Sequence, residues 1–182
     1  MTFPALLDSC TLFGTYLCDT LLRIAETEAF RPLWSTEILH ELQRNVIKRG
    51  IPVAAIERRI QEMRRVFPDA EVAGYEPLIP SMTCHEKDRH VLAAAVRARA
   101  EVLVTFNVRD FPPSSTTAYD VQVVHTDDFL VDQLDLYPGA VTGTLRRQAA
   151  DYKSPEMEPA DLLTRLAAAG VPRFAAEARR HL

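Results

Sequence analysis

Short apolar segments alternate along the first 139 residues with longer segments of helical periodicity. Short, largely apolar runs are typical of buried strands, and they occur at 5–7, 102–105 and 121–124. Apolar residues spaced three or four positions apart predict helices over 15–29, 37–49, 52–67, 88–100 and 127–134. Buried strands separated by helices predict a three-layer α/β/α fold with a mainly parallel central sheet.

Capping and helix-breaking residues mark the ends of these elements. Ser35 and Thr36 are candidate N-caps for the helix at 37–49, and Gly50 suits the position just past its end. Thr126 is a candidate N-cap for the helix at 127–134. The prolines and the glycine between 68 and 80 predict a long connection.

The pattern changes after residue 139. Helical periodicity continues over 142–152, 159–169 and 172–182, and no strand signal accompanies it. We therefore divide the chain into an α/β domain over 1–139 and a helical C-terminal extension over 140–182. The extension is expected to dock on the α/β domain or to bind a partner.

Composition and charge narrow the class of protein. The content of 47% hydrophobic and 25% charged residues is that of an ordinary globular chain, and the net charge of −4 excludes nucleic-acid binding by bulk charge alone. Three cysteines are too few for a disulfide framework. Apolar stretches of about six residues fall short of the ~20 that span a bilayer, and no signal peptide is visible at residues 1–7. These features predict a cytoplasmic protein with no membrane contact.

Acidic residues follow the predicted strands, where a parallel sheet binds its ligands. Asp8 comes directly after the first strand, Asp110 ends the turn after the strand at 102–105, and Asp88 starts the helix leading into that strand. Hard divalent cations take carboxylate oxygens from several segments. These acids are therefore candidate metal ligands, although singly Asp8 and Asp110 also suit turns and Asp88 suits an N-cap.

Glu41 joins this set by its position on the predicted helix at 37–49. Four apolar residues form one stripe of that helix, namely Ile38, Leu39, Leu42 and Val46. On a helical wheel Glu41 lies about 115° from the centre of the stripe, and Glu37 lies about 155° from it. Glu41 therefore borders the buried face and can reach a cleft, whereas Glu37 faces solvent. Taken alone, Glu41 is also compatible with a solvated helix position.

Together and in this order, these residues resemble the PIN domain, the metal-dependent nuclease fold of VapC-type toxins. The resemblance covers roughly residues 5–130, and the helical tail suggests the subgroup of longer VapC-like proteins. The most specific segments are the acid followed by an alanine-rich helix and the Thr-x-Asn-x-x-Asp-Phe turn. The matching segments are Leu6-Leu7-Asp8-Ser9, 36–42, 88–95 and 103–111.

The resemblance implies an endoribonuclease in which Asp8, Asp88 and, through water, Glu41 hold Mg²⁺ or Mn²⁺. The bound metal would activate a water molecule and neutralise charge on the scissile phosphate. The fourth position of the family's site falls on Asn107 or on Asp110, and we favour Asn107 as the group beside the metal. The family also implies a homodimer, an RNA substrate with tRNA as one candidate, and a cognate antitoxin of a type II toxin–antitoxin pair.

Other residues are expected to support this site. Ser9 or Thr105 could bond a phosphate or a neighbouring carboxylate, and His90 is expected to be a structural group beside the site. Cys10 stands where many members of the family have Asn or Ser. Between Glu41 and Arg65 the chain has seven basic and three acidic residues, which suggests either an RNA-binding surface or an ordinary solvated helix face. Its best-placed members are Arg44 and Lys48.

Several alternatives remain open from the sequence. An Asp-x-Asp phosphatase needs an acid where Cys10 stands, and a Cys10 nucleophile needs a histidine partner that the sequence does not place. A zinc site of Cys84, His85 and His90 has awkward spacing. The main alternative is a PIN-like module that binds RNA or protein without cleavage. Cleavage of DNA flaps is a further alternative among nucleases.

Overall fold

Five parallel strands form one sheet in the computed structural model, which describes residues 2–182. The strand order is β3-β2-β1-β4-β5, and every neighbouring pair is parallel. The central strand is therefore the first in the chain, and its carboxyl end lies at the middle of the ligand-binding edge. The strands are β1 Pro4–Leu7, β2 Arg31–Ser35, β3 Glu71–Val72, β4 Val102–Thr105 and β5 Gln122–His125.

Within residues 2–182, ten helices surround this sheet, and one contiguous apolar core runs from β1 to the last helix. Short 3₁₀ turns occur at Glu76–Ser81, Glu86–Asp88, Val108–Asp110 and Thr117–Tyr119. The predicted α/β class with a mainly parallel sheet is confirmed. The helices are α1 Ser9–Leu12, α2 Thr15–Glu26, α3 Thr36–Lys48, α4 Val53–Val66, α5 Arg89–Arg97, α6 Pro113–Thr116, α7 Thr126–Leu136, α8 Pro138–Asp151, α9 Pro159–Ala168 and α10 Pro172–Arg179.

The sequence did not predict strands β2 and β3. Strand β2 contains Pro32, which cannot donate a hydrogen bond and is usually confined to sheet edges. The N–H of Arg31 donates to the carbonyl of Phe3, the residue just before β1, so the nitrogen of Pro32 points to the other side of the strand. There, β3 pairs with β2 only from Trp34 onward. Pro32 therefore occupies the stretch of β2 where no donor is needed.

Helix ends follow the predicted caps with one exception. The Ser35 hydroxyl accepts the N–H of Ile38 at the start of α3, and Gly50 ends that helix with a φ of +84°. The N-cap of α7 is His125, whose Nδ1 accepts the N–H of Asp127, whereas Thr126 lies inside the helix. The assignment of Thr126 as the cap is therefore wrong.

The C-terminal helices pack directly on the α/β layers. The side-chain amide of Gln148 on α8 donates to the Tyr16 carbonyl of α2 at 3.1 Å, and its oxygen accepts the Thr20 hydroxyl at 2.8 Å. Helix α8 begins at Pro138, two residues before the predicted boundary. The division at 139/140 stays a prediction. No helix within residues 2–182 is long and apolar enough to cross a membrane.

Candidate active site

Asp8 lies at the carboxyl end of β1, and its carboxylate is surrounded by hydrogen-bond donors. The residue is 3% exposed. Its Oδ1 accepts the backbone N–H of Ser9 at 2.6 Å, and its Oδ2 accepts the hydroxyl of Thr105 at 2.7 Å. The Thr105 hydroxyl in turn accepts the N–H of Asn107 at 3.0 Å. The side chain of Asp8 is therefore tied to the turn that follows the neighbouring strand β4.

The hydroxyl of Ser9 joins Asp8 to Glu41 on α3. It lies 3.4 Å from Asp8 Oδ1 and 3.1 Å from Glu41 Oε2. The apolar stripe of α3 is buried as the helical wheel predicted. Glu37 instead forms an ion pair with Arg44 at 2.9 Å on the outer surface. The structure thus places Glu41, and not Glu37, beside Asp8.

His90 connects Glu41 to the first turn of α5. Its Nε2 lies 3.1 Å from Glu41 Oε1, and the His90 side chain is 13% exposed. Burial lowers the pKa of His90, but the hydrogen bond and the charge of Glu41 outweigh burial, so the net shift is upward. Burial raises the pKa of Glu41, but His90 and Ser9 together shift it downward overall. The pair therefore favours an ionised Glu41.

Asp88 ends a 3₁₀ turn and occupies the N-cap position of α5. Its side chain accepts no hydrogen bond from that helix, so helix capping does not explain why an acid occupies this position. Burial raises the pKa of Asp88 to about 6. The negative charges of Asp8, Asp110 and Glu41 act in the same direction, opposed by His85. Carboxylates from four separate segments therefore interact electrostatically at one edge of the sheet.

The turn after β4 contributes the two candidates for the fourth position. Asn107 is exposed, and its side chain forms no cap for the 3₁₀ turn at Val108–Asp110. The carbonyl of Asp110 accepts the N–H of His85 at 2.9 Å, which ties this turn to the segment before Asp88. The same turn is joined to Asp8 through Thr105, whose hydroxyl accepts the N–H of Asn107 and donates to Asp8.

Two family models match this chain. The family model described as "PIN domain" matches residues 5–109, which is more than half of the chain. The chain belongs to the PIN domain family. A second model, described as "VapC50 C-terminal domain", matches residues 126–180, from α7 to α10.

One curated relative has a closely similar sequence. The PIN-domain chain is 50% identical over 107 residues to "Putative ribonuclease VapC50" of Mycobacterium tuberculosis. The match covers 59% of this chain and 63% of the relative, which is less than two thirds of that protein. No solved structure matches the chain. The predicted resemblance to a VapC-type PIN protein with a C-terminal extension is confirmed.

Cys10 has a closer connection to the PIN-domain site than the sequence suggested. Its thiol donates to Asp8 Oδ2 at 3.2 Å and lies 3.4 Å from the Thr105 hydroxyl. Burial, followed by the charge of Asp8, raises the pKa of Cys10 to about 12. The protonated thiol therefore serves as a donor, which disfavours Cys10 as a nucleophile. Its position two residues after Asp8 was the available sequence signal.

The carboxylates of the site suit a hydrated divalent cation that prefers oxygen ligands. Within residues 2–182, no three His, Cys, Asp or Glu side chains lie close enough together to hold one ion directly. This result argues against the zinc site of Cys84, His85 and His90. Mg²⁺ keeps several waters and needs only one or two carboxylates together with substrate phosphates. Asp8 and Asp88 are the carboxylates that could bind such an ion.

The fourth position can be assigned by the metal dependence of two variants, Asn107→Ala and Asp110→Asn. A residue that binds the metal, directly or through water, should show its defect at limiting Mn²⁺ and recover at saturating Mn²⁺. A residue that only shapes the turn should show the same defect at both concentrations. We expect Asn107→Ala to show the larger metal-dependent defect in the RNA cleavage that the PIN resemblance implies, with rates measured across a Mn²⁺ titration.

Asp110 provides the comparison for that experiment. Its charge already raises the pKa of Asp88, so Asp110→Asn also tests whether this charge matters to metal affinity. A defect of Asp110→Asn that disappears at saturating Mn²⁺, with none for Asn107→Ala, would assign the position to Asp110 instead.

Proposed function

We propose that this PIN-domain protein is a Mg²⁺- or Mn²⁺-dependent endoribonuclease and the toxin of a type II toxin–antitoxin pair. The observation that carries the proposal is the convergence of Asp8, Glu41 and Asp88 at the carboxyl edge of the sheet. These residues come from three separate segments, and the charges of Asp8 and Glu41 both act on Asp88. The relative's name, which calls that protein a ribonuclease, supports RNA as the substrate class.

Each side chain of the site has a distinct part in the proposed hydrolysis. A metal ion at this site would supply a water of lowered pKa and would neutralise charge on the scissile phosphate. Asp8, Asp88 and, through water, Glu41 would hold the ion. The N–H of Ser9 and the hydroxyl of Thr105 hold the Asp8 carboxylate in one orientation. His90 keeps Glu41 ionised and limits its rotation.

The partners follow from the same proposal. The substrate would be a cytoplasmic RNA, with tRNA as one candidate, and a cognate antitoxin would restrain the activity. A homodimer is the expected assembly.

Cleavage of labelled RNA by the purified full chain tests this function. We expect internal cuts in a pool that contains tRNA when Mg²⁺ or Mn²⁺ is present, and none after the metal is removed with EDTA. A DNA flap substrate in the same assay separates the two nuclease classes. A folded protein that cuts no RNA at any concentration of either metal would contradict the proposal.

A non-cleaving PIN-like module that binds RNA or protein is the second candidate. The observation in its favour is that no three ligand side chains in the described residues lie ready to share one ion. Such a module would bind RNA equally well with and without metal, and Asp88→Asn would leave that binding unchanged. An active nuclease would instead show cleavage that depends on both metal and Asp88.

The basic segment around α3 yields a prediction about RNA binding. Arg44 and Lys48 lie one and two turns beyond Glu41, and both are exposed. Changing both to glutamine should raise KM and weaken binding to all RNAs alike, with little change in kcat. Because phosphate contacts release counterions, the slope of log K against log salt should decrease by up to ~0.7 per lost contact. Binding titrations at three salt concentrations measure this slope.

The matched control is the double variant Arg64→Gln with Arg65→Gln on α4. In both pairs the structure shows arginine bonded to glutamate, since Arg44 pairs with Glu37, Arg64 with Glu71 and Arg65 with Glu62. The control should change the salt slope less. An unchanged slope in the Arg44/Lys48 variant would show that this segment is an ordinary solvated helix face.

A further inference from the structure

Gly170 of the C-terminal extension contacts the turn that carries the candidate site. It lies between α9 and α10, with a φ of +101°. A Cβ on Gly170 would lie 3.0 Å from Cε1 and 3.3 Å from Cζ of Phe106. Carbon atoms pack best at about 3.5–4.0 Å. Only glycine therefore fits at this position without displacing the aromatic ring.

Phe106 is connected through its backbone to the donors that hold Asp8. It lies between Thr105 and Asn107, and its N–H donates to the Cys10 sulfur at 3.4 Å. The thiol of Cys10 and the hydroxyl of Thr105 both donate to Asp8 Oδ2. A shift of the Phe106 backbone would therefore disturb both donors at once.

The extension around Gly170 is fixed to the α/β domain. The carboxylate of Asp127 on α7 accepts the N–H groups of Arg173 and Phe174 at 3.0 and 2.8 Å. These are free N–H groups at the start of α10, so the bonds hold that end of the helix. Val171, directly after Gly170, is fully buried. The backbone of Gly170 therefore presents a rigid surface to Phe106.

We propose that the contact between Gly170 and Phe106 is a positioning contact. Through it the C-terminal extension holds residues 105–107, and thereby the Asp8 carboxylate, in the geometry that the reaction needs. The catalytic part of this inference rests on the proposed function. The effect on the position of the turn does not, because it can be measured without any activity.

Gly170→Ala tests the contact, and Gly50→Ala is its matched control. Both glycines follow a helix and have positive φ, +101° and +84°. Both helix ends also have the same pair of backbone bonds, from Gly50 to Ile47 with Ile51 to Val46, and from Gly170 to Ala167 with Val171 to Leu166. A Cβ on Gly50 would meet no atom within 4 Å. Gly50→Ala therefore introduces the backbone strain of an alanine at positive φ, but its methyl group meets no aromatic ring.

Two measurements distinguish positioning from general destabilisation. Amide hydrogen exchange at Phe106 and Asn107 should be about tenfold faster in Gly170→Ala than in Gly50→Ala or the wild type. Since small displacements of reacting groups can cost about 10²-fold in rate, kcat should decrease by about 10- to 100-fold with little change in KM. Adding Phe106→Leu to Gly170→Ala makes room for the alanine methyl group. The exchange rates and kcat should then return most of the way to their wild-type values.

The outcomes separate this inference from the proposed function. Equal exchange and equal kcat in Gly170→Ala and Gly50→Ala would overturn the positioning contact. If Gly170→Ala does not fold, Phe106→Ala removes the ring without straining the backbone of Gly170. A wild-type rate of amide exchange at Asn107 in Phe106→Ala would also overturn the positioning contact. A wild-type protein that cuts no RNA, combined with the expected exchange pattern, would contradict the nuclease but support the contact.

Discussion

RNA cleavage by the Asp88→Asn variant is expected to fall by about 10²- to 10³-fold, the loss typical of removing a group that stabilises charge in a transition state. The substitution replaces a carboxylate ligand of the proposed metal with an amide of the same shape. The Asp88 side chain forms no capping hydrogen bond with α5, so the fold should be unaffected. Single-turnover cleavage at saturating Mg²⁺ measures the effect.

The same variant should be more stable than the wild type in metal-free buffer. The folded protein raises the pKa of Asp88 from 3.8 to about 6, so the ionised carboxylate destabilises the folded state at neutral pH. The free energy of unfolding should be about 1 kcal/mol higher in the variant, allowing for solvent screening of a partly exposed group. It should be complete above about pH 6 and disappear as the pH falls towards 4, because below both pKa values the wild-type residue is neutral in either state.

Thermal unfolding from pH 4 to pH 8 measures this difference in stability. Adding Mg²⁺ should stabilise the wild type more than the variant, since an ion that binds only the folded state adds to its stability. Full cleavage by a verified Asp88→Asn preparation would refute the assignment of the site. Loss of folding in that variant at neutral pH would show that Asp88 also has a structural role.

Replacing Glu41 with glutamine should lower cleavage by about 10- to 100-fold, as expected for a group that acts on the metal through water. Replacing Glu37 on the same helix should change cleavage by less than about twofold. Glu41 bonds Ser9 and His90 inside the site, whereas Glu37 bonds Arg44 on the surface. The two substitutions are chemically identical and lie one helical turn apart, so kcat and KM can be compared directly.

The comparison also has a distinctive second readout. Glu37→Gln frees Arg44 from its ion pair, so RNA binding should be unchanged or slightly tighter in that variant. Equal losses of kcat at both positions, or a larger loss at Glu37, would mean that Glu41 is not the member of α3 that serves the reaction.

The sequence by itself determined the class of fold and the main candidates for the site. Strands β1 and β4 and the longer helices have hydrophobic periods that depend only on neighbouring residues. The location of Glu41 follows from the same local geometry, because the buried stripe of α3 sets which glutamate faces inward. The PIN resemblance added the order of the acids, which no single segment shows.

Tertiary structure alone decided the features that depend on partners distant in the chain. Strand β2 contains Pro32, and its sequence does not indicate a strand. It forms because β1 and β3 pair with it on either side, while Pro32 lies where no N–H donor is needed. The strand order and the hydrogen bond from Cys10 to Asp8 likewise required residues brought together by folding.

The same holds for the contact between Gly170 and Phe106, which lie 64 positions apart in the sequence. Local patterns record which face of an element is buried, but not what is packed against that face. Periodicity could therefore predict the acids and their helices. Only the packed chain could show that the C-terminal extension touches the turn beside them.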